Sequence, residues 1–196
     1  HVNHIVPQTS ASSEKVLMIA FFNNNIVAAR GEKIWTSAST ELSVAIASGT
    51  AMTGSGTISV DSTSGFSSSG TLQINSEIFT YGAKSATAFT SVTRAASSTS
   101  AADHSTDDAV SESWTVRDTG RTSASKYAFE RFNFDGNEKI IVTDGANDPT
   151  VFNTSFTATD VTESTVEGAK YITAFKNHMF YAGMSSTPQT LVFSQP

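Results

Sequence analysis

Short apolar runs separated by Asn- or Gly-containing turns extend along most of this 196-residue chain. Three stretches share one plan: an apolar strand, a short turn, a strand ending in a small residue, a Gly-containing turn, and a third strand bearing an aromatic residue. Asn tolerates left-handed backbone angles and Gly adopts them freely, which favours these turns. The predicted strands are 15–22, 26–30, 33–36, 127–134, 139–143, 150–152, 171–175, 178–182 and 190–194. A further alternating run, Leu42, Val44 and Ile46, predicts a fourth strand after the first stretch.

The spacing of these stretches is typical of a repeat protein. The middle strands of the last two start at Ile140 and Met179, close to the period of roughly 40 to 50 residues found in β-propeller blades. We therefore predict an all-β fold, with a partial β-propeller-like body of three- to four-stranded antiparallel blades and an inserted small β module. Another β-sandwich or barrel is the alternative. Closed propellers have about 4 to 8 blades, so we expect a fragment, or sheet edges completed by another polypeptide.

The inserted module differs from the rest of the chain in amino-acid composition. Residues 51–111 are rich in Ser, Thr, Ala and Gly, with isolated apolar pairs such as Leu72 and Ile74. The apolar parity then changes to Phe79 and Tyr81, which predicts a bulge or bend near Asn75. The predicted domains are therefore a β body of residues 1–50 and 112–196, and a module of three to five short strands at 51–111.

Composition and charge exclude several classes of protein. Charged residues make up 15% of the chain and Cys is absent, which rules out a disulfide-stapled mini-protein and Cys-ligated zinc. The net charge of -6 provides no long-range attraction to nucleic acid or anionic membranes. The longest apolar run, 16–22, is too short for a membrane-spanning helix. The chain starts at His1 with no signal-peptide pattern, so we expect a processed product or a piece of a longer protein.

Polar clusters offer few candidates for chemistry. The four histidines, His1, His4, His104 and His178, occur in no metal-binding motif. Three clusters could supply ligands to a divalent cation: Asp103, His104, Asp107 and Asp108; Asp135, Asn137 and Glu138; and Asp144, Asn147 and Asp148. None fits an EF-hand loop, and Asp-Gly is a common hairpin turn, so we favour solvated turns. His178, on an apolar strand, is expected to be a hydrogen-bonded structural residue rather than a catalytic base.

No motif of a known catalytic type is present. A nucleophile elbow, a P-loop and a dinucleotide fingerprint are all missing. The sequence therefore predicts no catalytic, cofactor-binding or metal-binding residues, and no enzymatic activity.

Two stretches resemble structural proteins of tailed bacteriophages. The module resembles a small β insert of phage tail proteins, with an Ile-x-Val strand, Gly-Phe-x-x-x-Gly, a strand with Ile and Glu leading to Tyr, and then Thr-Arg, Ala-x-x-His and Val. The matching residues are Ile58, Val60, Gly65, Phe66, Gly70, Ile74, Glu77, Tyr81, Thr93, Arg94, Ala101, His104 and Val110. Ala95 and Asp107 depart from this pattern, because Gly is usual at those positions. Residues 140–152 and 170–196 resemble propeller-type tail proteins more weakly.

The resemblance implies a tail tubular or nozzle-like protein, forming a homo-oligomeric ring around the DNA channel. Its implied partners are copies of itself, neighbouring virion tail proteins, and phage DNA that passes without sequence-specific binding; no membrane and no cofactor is implied. Its implied location is the virion tail, after folding in the host cytoplasm. We expect acidic residues to face the channel, because a negative wall does not retain a polyanion. The alternative is a carbohydrate- or receptor-binding module of a tail fibre or adhesin, with Trp35, Tyr81 and Trp114 stacking on sugars.

Overall fold

The computed structural model describes residues 15–122 and 126–195. Regular secondary structure in these residues is entirely β, in antiparallel sheets, which confirms the predicted all-β class. The strands are β1 (Val16–Phe22), β2 (Asn25–Arg30), β3 (Lys33–Glu41), β4 (Thr53–Ser59), β5 (Gly70–Ile74), β6 (Glu77–Tyr81), β7 (Ala83–Lys84), β8 (Ala88–Thr93), β9 (Ala109–Glu112), β10 (Thr115–Asp118), β11 (Ala128–Phe132), β12 (Lys139–Thr143), β13 (Thr150–Phe152), β14 (Ala158–Asp160), β15 (Tyr171–Phe175), β16 (His178–Ala182) and β17 (Leu191–Phe193). No helix in the described part of the chain is long and apolar enough to cross a bilayer.

The chain divides into two compact units. Among the described residues, the first unit comprises Asn23–Ile26 and Ser37–Thr115. It therefore contains the whole of the predicted module, 51–111, together with residues 37–50. Its strands are ordered β3–β9–β5–β6–β8–β4, with β7 beside β8. The core of the first unit is formed by Ala38, Leu42, Ile46, Met52, Ile58, Val60, Phe66, Leu72, Ile74, Phe79, Tyr81, Phe89, Val92 and Val110.

A tight hairpin, not a bulge, explains the change in apolar parity near Asn75. Strands β5 and β6 are joined by the two residues Asn75 and Ser76, and Asn75 has a φ of 52°. In this register Leu72 lies opposite Phe79, and directly opposed residues of an antiparallel pair share a face. By the same register Ile74 lies opposite Glu77, which places a carboxylate on the core face.

The predicted strand at 42–46 is wrong. Instead β3 continues to Glu41, and the following residues form only isolated bridges, Leu42 to Val60 and Ile46 to His104. Leu42 and Ile46 are buried whereas Val44 is 58% exposed. The alternation that predicted a strand thus reflects a loop anchored at two points in the core of the first unit.

The second unit comprises Val27–Thr36 together with the described residues of 15–22 and 116–195. It contains the β1–β2–β3 segment of a larger sheet, in which β10 also pairs with β3, and two separate sheets, β11–β12–β13–β14 and β15–β16–β17. The second and third predicted three-strand stretches therefore form separate sheets, whereas the first forms part of a larger one. Strand β14 was not predicted, because all three of its residues are exposed and give no apolar signal.

These three groups of strands contact one another in chain order. A first apolar layer joins β1–β3 to β11–β13, and a second joins β11–β13 to β15–β17. The first layer contains Met18, Ala20, Phe22, Val27, Ala29, Ile34, Tyr127, Ile140, Val142, Phe152 and Phe156. The second is formed by Ile141, Val166, Ala169, Met179, Tyr181 and Met184, with Phe132, Phe134, Val151, Val161, Ile172, Ala174 and Val192 packed against it.

Strand β12 shows why the middle sheet has an unbroken apolar run. Ile140 and Val142 enter the first apolar layer, whereas Ile141 enters the second. A strand covered on both faces needs apolar residues at consecutive positions. The run at 140–142 is thus the sequence signature of the middle layer of this stack.

Gly65 provides a test of close packing in the first unit. It has a φ of +84°, and a Cβ there would lie 2.3 Å from Asn25 Nδ2 and 2.9 Å from the Asn23 carbonyl oxygen. Gly136 has a similar φ of +79° but open space around it. We expect Gly136→Ala to lower the free energy of unfolding by about 1 kcal/mol through backbone strain, and Gly65→Ala to cost about 1–3 kcal/mol more through overpacking. Urea denaturation of both variants measures this difference, and equal losses would contradict the packing described.

Candidate functional site

A buried carboxylate lies at the centre of the first unit. The side chain of Glu77 is fully buried, and five donors surround it. Its Oε1 accepts hydrogen bonds from Arg94 Nε at 2.9 Å and from the Ala95 N–H at 3.0 Å. Its Oε2 accepts from Arg94 Nη2 at 2.8 Å and from the Ala102 N–H and His104 Nε2, each at 2.9 Å. This number of donors saturates a carboxylate, which has about four lone-pair sites.

Arg94 connects this carboxylate to two loops. Its Nη1 donates to the carbonyl oxygens of Ala47 at 2.7 Å and Thr50 at 3.1 Å, and its Nη2 donates to that of Ala102 at 2.8 Å. The bidentate pair with Glu77 leaves the remaining guanidinium donors for the backbone. One arginine therefore holds residues 47–50 and the end of the 95–102 loop on the sheet.

His104 completes the network. Its ring is fully buried, 5.7 Å from the ring of Phe79 between centroids. A carboxylate only accepts hydrogen bonds, so Nε2 carries the proton in the contact with Glu77. Nδ1 lies 3.5 Å from the side-chain amide nitrogen of Asn75, which is placed to donate to it. His104 thus links the β5–β6 turn to the buried carboxylate.

The electrostatics favour an ionised Glu77. Burial raises the pKa of this carboxyl group, but hydrogen bonds from Arg94, His104 and two backbone N–H groups outweigh burial and lower the pKa to about 2. The network has the chemistry of a structural ion pair, because both oxygens of Glu77 are occupied by hydrogen-bond donors.

The cluster 103–108 does not converge on one point. His104 turns inward to Glu77, whereas Asp103 accepts from the Ser48 N–H at 2.6 Å. Asp108 accepts from the Ser105 N–H and from the Asn75 amide, both at 2.9 Å. Each side chain therefore closes a separate turn.

The structure brings together three residues that carry the resemblance to the phage insert. Glu77, Arg94 and His104 are far apart in sequence yet form one network. The two departures from the pattern, Ala95 and Asp107, have φ values of 53° and 70°. Gly adopts this left-handed region without strain, which explains why it suits both positions.

A second buried ion pair lies in the second unit, around Arg121. Its Nε donates to Asp144 Oδ2 at 3.0 Å, and its Nη1 donates to Asp118 Oδ2 and Thr150 Oγ1, both at 2.7 Å. Asp144 also accepts the N–H groups of Ala146 and Asn147 and the Asn147 amide. The guanidinium therefore takes the position that a bound cation would occupy in the predicted 144–148 cluster.

The carboxyl group of Asp144 is held ionised by these contacts. Burial raises its pKa, but hydrogen bonds from Asn147 and Ala146, and the charge of Arg121, lower the pKa below its ordinary value overall. An open polar cavity of about 270 Å³ lies beside the pair, lined by Asp118, Thr119, Gly120, Arg121, Ala146, Asn147, Asp148, Asp160 and Glu167.

The 135–138 cluster is an exposed turn. Asp135 binds Lys139 Nζ at 2.7 Å and accepts the Asn137 N–H at 3.1 Å, whereas Glu138 pairs with Arg131. Across residues 15–122 and 126–195, no group of three or more His, Asp or Glu side chains is arranged to hold a metal ion.

The aromatic residues proposed for sugar stacking have different exposures. Trp35 is 7% exposed and Tyr81 is 4% exposed, with the Tyr81 hydroxyl 3.0 Å from both Ser67 O and Glu112 Oε1. Trp114 is partly exposed, but its indole nitrogen is buried.

His178 Nδ1 lies 2.6 Å from the Ser194 carbonyl oxygen, to which it donates. Sequence reasoning missed the apolar outer face of β15–β17, where aromatic residues are exposed.

Comparison with known proteins adds no relative. No protein-family model, curated protein or solved structure matches this chain.

Glu77→Gln tests the buried network. The substitution replaces one carboxylate oxygen by an NH2 group, which is itself a donor and faces the donors that surround Glu77. Breaking a buried ion pair costs about 3–5 kcal/mol of unfolding free energy. Because the pKa of Glu77 is lower in the folded state, its stabilisation is complete above about pH 4.5 and is lost as the pH falls towards about 2. Urea denaturation at pH 6 and pH 3 should therefore show a larger gap between wild type and variant at pH 6.

The matched control is Glu138→Gln, which removes an exposed pair with Arg131. We expect a loss of about 0–1 kcal/mol there. A gap between wild type and Glu77→Gln that does not change with pH would contradict the network as described.

Ala95→Gly tests the positive φ beside the network. Removing the Cβ relieves about 1–2 kcal/mol of left-handed strain and adds about 0.5–1 kcal/mol of chain entropy cost. We expect a net gain in thermal stability, measured as a rise in Tm. Ala96→Gly is the neighbouring control, since Ala96 is not among the residues with positive φ; it should lower the Tm. A fall in both variants would contradict strain at Ala95.

Proposed function

We propose that this chain is a non-enzymatic structural component of a bacteriophage tail, of the nozzle or tail tubular type, which assembles into an oligomeric ring around the DNA channel. The observation that carries this proposal is the serial stack in the second unit. Three groups of short antiparallel strands, β1–β3, β11–β13 and β15–β17, contact one another in chain order through two apolar layers, and the module lies between the first and second groups in the sequence.

A partial β-propeller-like body accounts for this stack. Propeller blades are small antiparallel sheets that follow one another in the chain and bury their faces against the next blade. The sheets β11–β14 and β15–β17 have four and three strands, joined by short connections. The first unit is then the inserted module, and the Glu77–Arg94–His104 network gives a physical reason for the residues that resemble the phage insert.

The chemistry of the polar clusters supports a structural role. The acidic side chains of Glu77 and Asp144 are occupied by Arg94 and Arg121. A chain without Cys is compatible with folding in a reducing host cytoplasm. The proposed partners are further copies of the chain, adjacent virion proteins and DNA that passes without sequence-specific contacts; the net charge of -6 agrees with a wall that does not retain DNA.

Electron microscopy and native mass spectrometry of the full chain test the proposal. We expect a closed ring of identical subunits with a central channel. A glycan array on the same sample tests the carbohydrate-binding alternative. A monomer at all concentrations would overturn the ring proposal, and glycan binding by that monomer would favour the alternative. A ring without glycan binding supports it.

A further inference from the structure

The stack of sheets in the second unit ends in an apolar face whose large side chains are left exposed among the residues that the structure describes. We call it the end face, formed by the outward side of β15–β17. Four of its large side chains are more than half exposed: Tyr171 at 57%, Phe175 at 59%, Leu191 at 61% and Phe193 at 61%. Phe180 and His178 lie among them, with centroid distances of 5.8 Å from each to the ring of Phe193. Phe175, His178, Phe180 and Phe193 therefore form one aromatic cluster.

The opposite end of the stack also exposes apolar residues, on the outward side of β1. We call this the start face, formed by Ile19 at 60% exposure and Phe21 at 68%. Strand β1 is apolar at every position, from Val16 to Phe22. Within the unit such a run marks a strand covered on both faces, as in β12. In β1, Met18, Ala20 and Phe22 are buried in the first apolar layer and Leu17 packs against it, whereas Ile19 and Phe21 are left exposed.

We infer that the end face of one copy packs against the start face of the next copy, so that the stack of sheets continues from chain to chain. This inference rests on the proposed oligomeric ring and names the surfaces that build it. Sheet-on-sheet packing already occurs twice within the unit, between consecutive sheets. The β1–β3 strands of a second copy would cover the end face as β15–β17 covers β11–β13 within the chain.

The apolar area exposed on the two faces is close to the apolar area that a specific interface buries. Aromatic side chains carry roughly 150–250 Å² each, so the two faces together expose on the order of 600 Å² of apolar surface through six side chains. A minimal specific interface buries about 1,200 Å², of which roughly six tenths is apolar. The two faces therefore supply most of the apolar area required.

The border of the end face is polar. Lys126 Nζ lies 5.8 Å from the centroid of Tyr171, and Lys176 Nζ lies 5.4 Å from that of Phe175. An apolar centre with a charged rim is the usual anatomy of a protein interface. Because the two faces differ, the contact is heterologous, and such contacts generate rings when the rotation between copies closes.

Charge substitutions on each face test the inference in the full chain. Phe193→Glu alters the end face, Phe21→Glu alters the start face, and Val44→Glu is the control, since Val44 is 58% exposed in the first unit. We expect each face variant to weaken self-association at least about tenfold, measured by analytical ultracentrifugation over a concentration series. The control should associate as the wild type does. Circular dichroism and Tm establish that each variant is folded.

Mixing the two face variants distinguishes a head-to-tail contact from a symmetric one. The Phe21→Glu chain retains its end face, and the Phe193→Glu chain retains its start face, so an equimolar mixture should form a heterodimer and nothing larger. Self-association of Phe21→Glu alone through its end face would overturn the inference. If the wild type forms rings and both variants do so equally, the two faces are wrong while the proposed function stands. A wild type that stays monomeric overturns both.

Chemical cross-linking detects the contact between copies without placing a charged side chain in the interface. The chain has no Cys, so Phe21→Cys combined with Phe193→Cys places one thiol on each face. A short bis-maleimide should then give a ladder of covalent oligomers on a denaturing gel. Val44→Cys combined with Phe193→Cys is the matched control and should give no ladder. Ladders of equal yield from both pairs would contradict the inferred contact.

Discussion

A sheet of three or four short strands buries too little surface to be stable alone, and this constraint shapes the second unit. Each of its sheets needs a covering layer for its apolar face. The chain meets this need by placing consecutive sheets on one another, so that β11–β13 is covered on both sides by β1–β3 and β15–β17. Among the described residues, the apolar layers cover one side of the strands at each end of this series, and the other side exposes apolar residues.

The first unit satisfies the same constraint with different means. Its strands and loops are rich in Ser, Thr and Gly, and its apolar residues converge in one buried core. Glu77 stands on the core face of the β5–β6 hairpin, and its contacts with Arg94 and His104 hold long connections against the sheet. Buried ion pairs add little net stability relative to apolar packing, so the contribution of this network is the position of the loops.

The two units therefore combine into a consistent functional hypothesis. The second unit supplies a stackable series of sheets with unlike ends, which suits head-to-tail assembly. The first unit supplies a β module in which the buried carboxylate of Glu77 is paired with Arg94. In both buried ion pairs the acidic oxygens accept hydrogen bonds from the arginine and from neighbouring groups.

Periodicity along the chain was sufficient to locate most strands, because alternation and Asn- or Gly-containing turns are local signals; 139–143, 150–152, 171–175 and 178–182 match the observed strands. The all-β class followed from the same pattern. Local signals failed at 42–46, where alternation came from anchoring, and at β14, which has no apolar residue facing the core. The partners of Glu77, Arg94 and His104 depend on which distant segments meet in the folded chain, and hydrophobicity along the sequence carries no record of that. Which apolar residues stay exposed was likewise settled by the number of neighbouring sheets, since Phe21 and Phe22 are equally apolar and only the packing of the stack separates them.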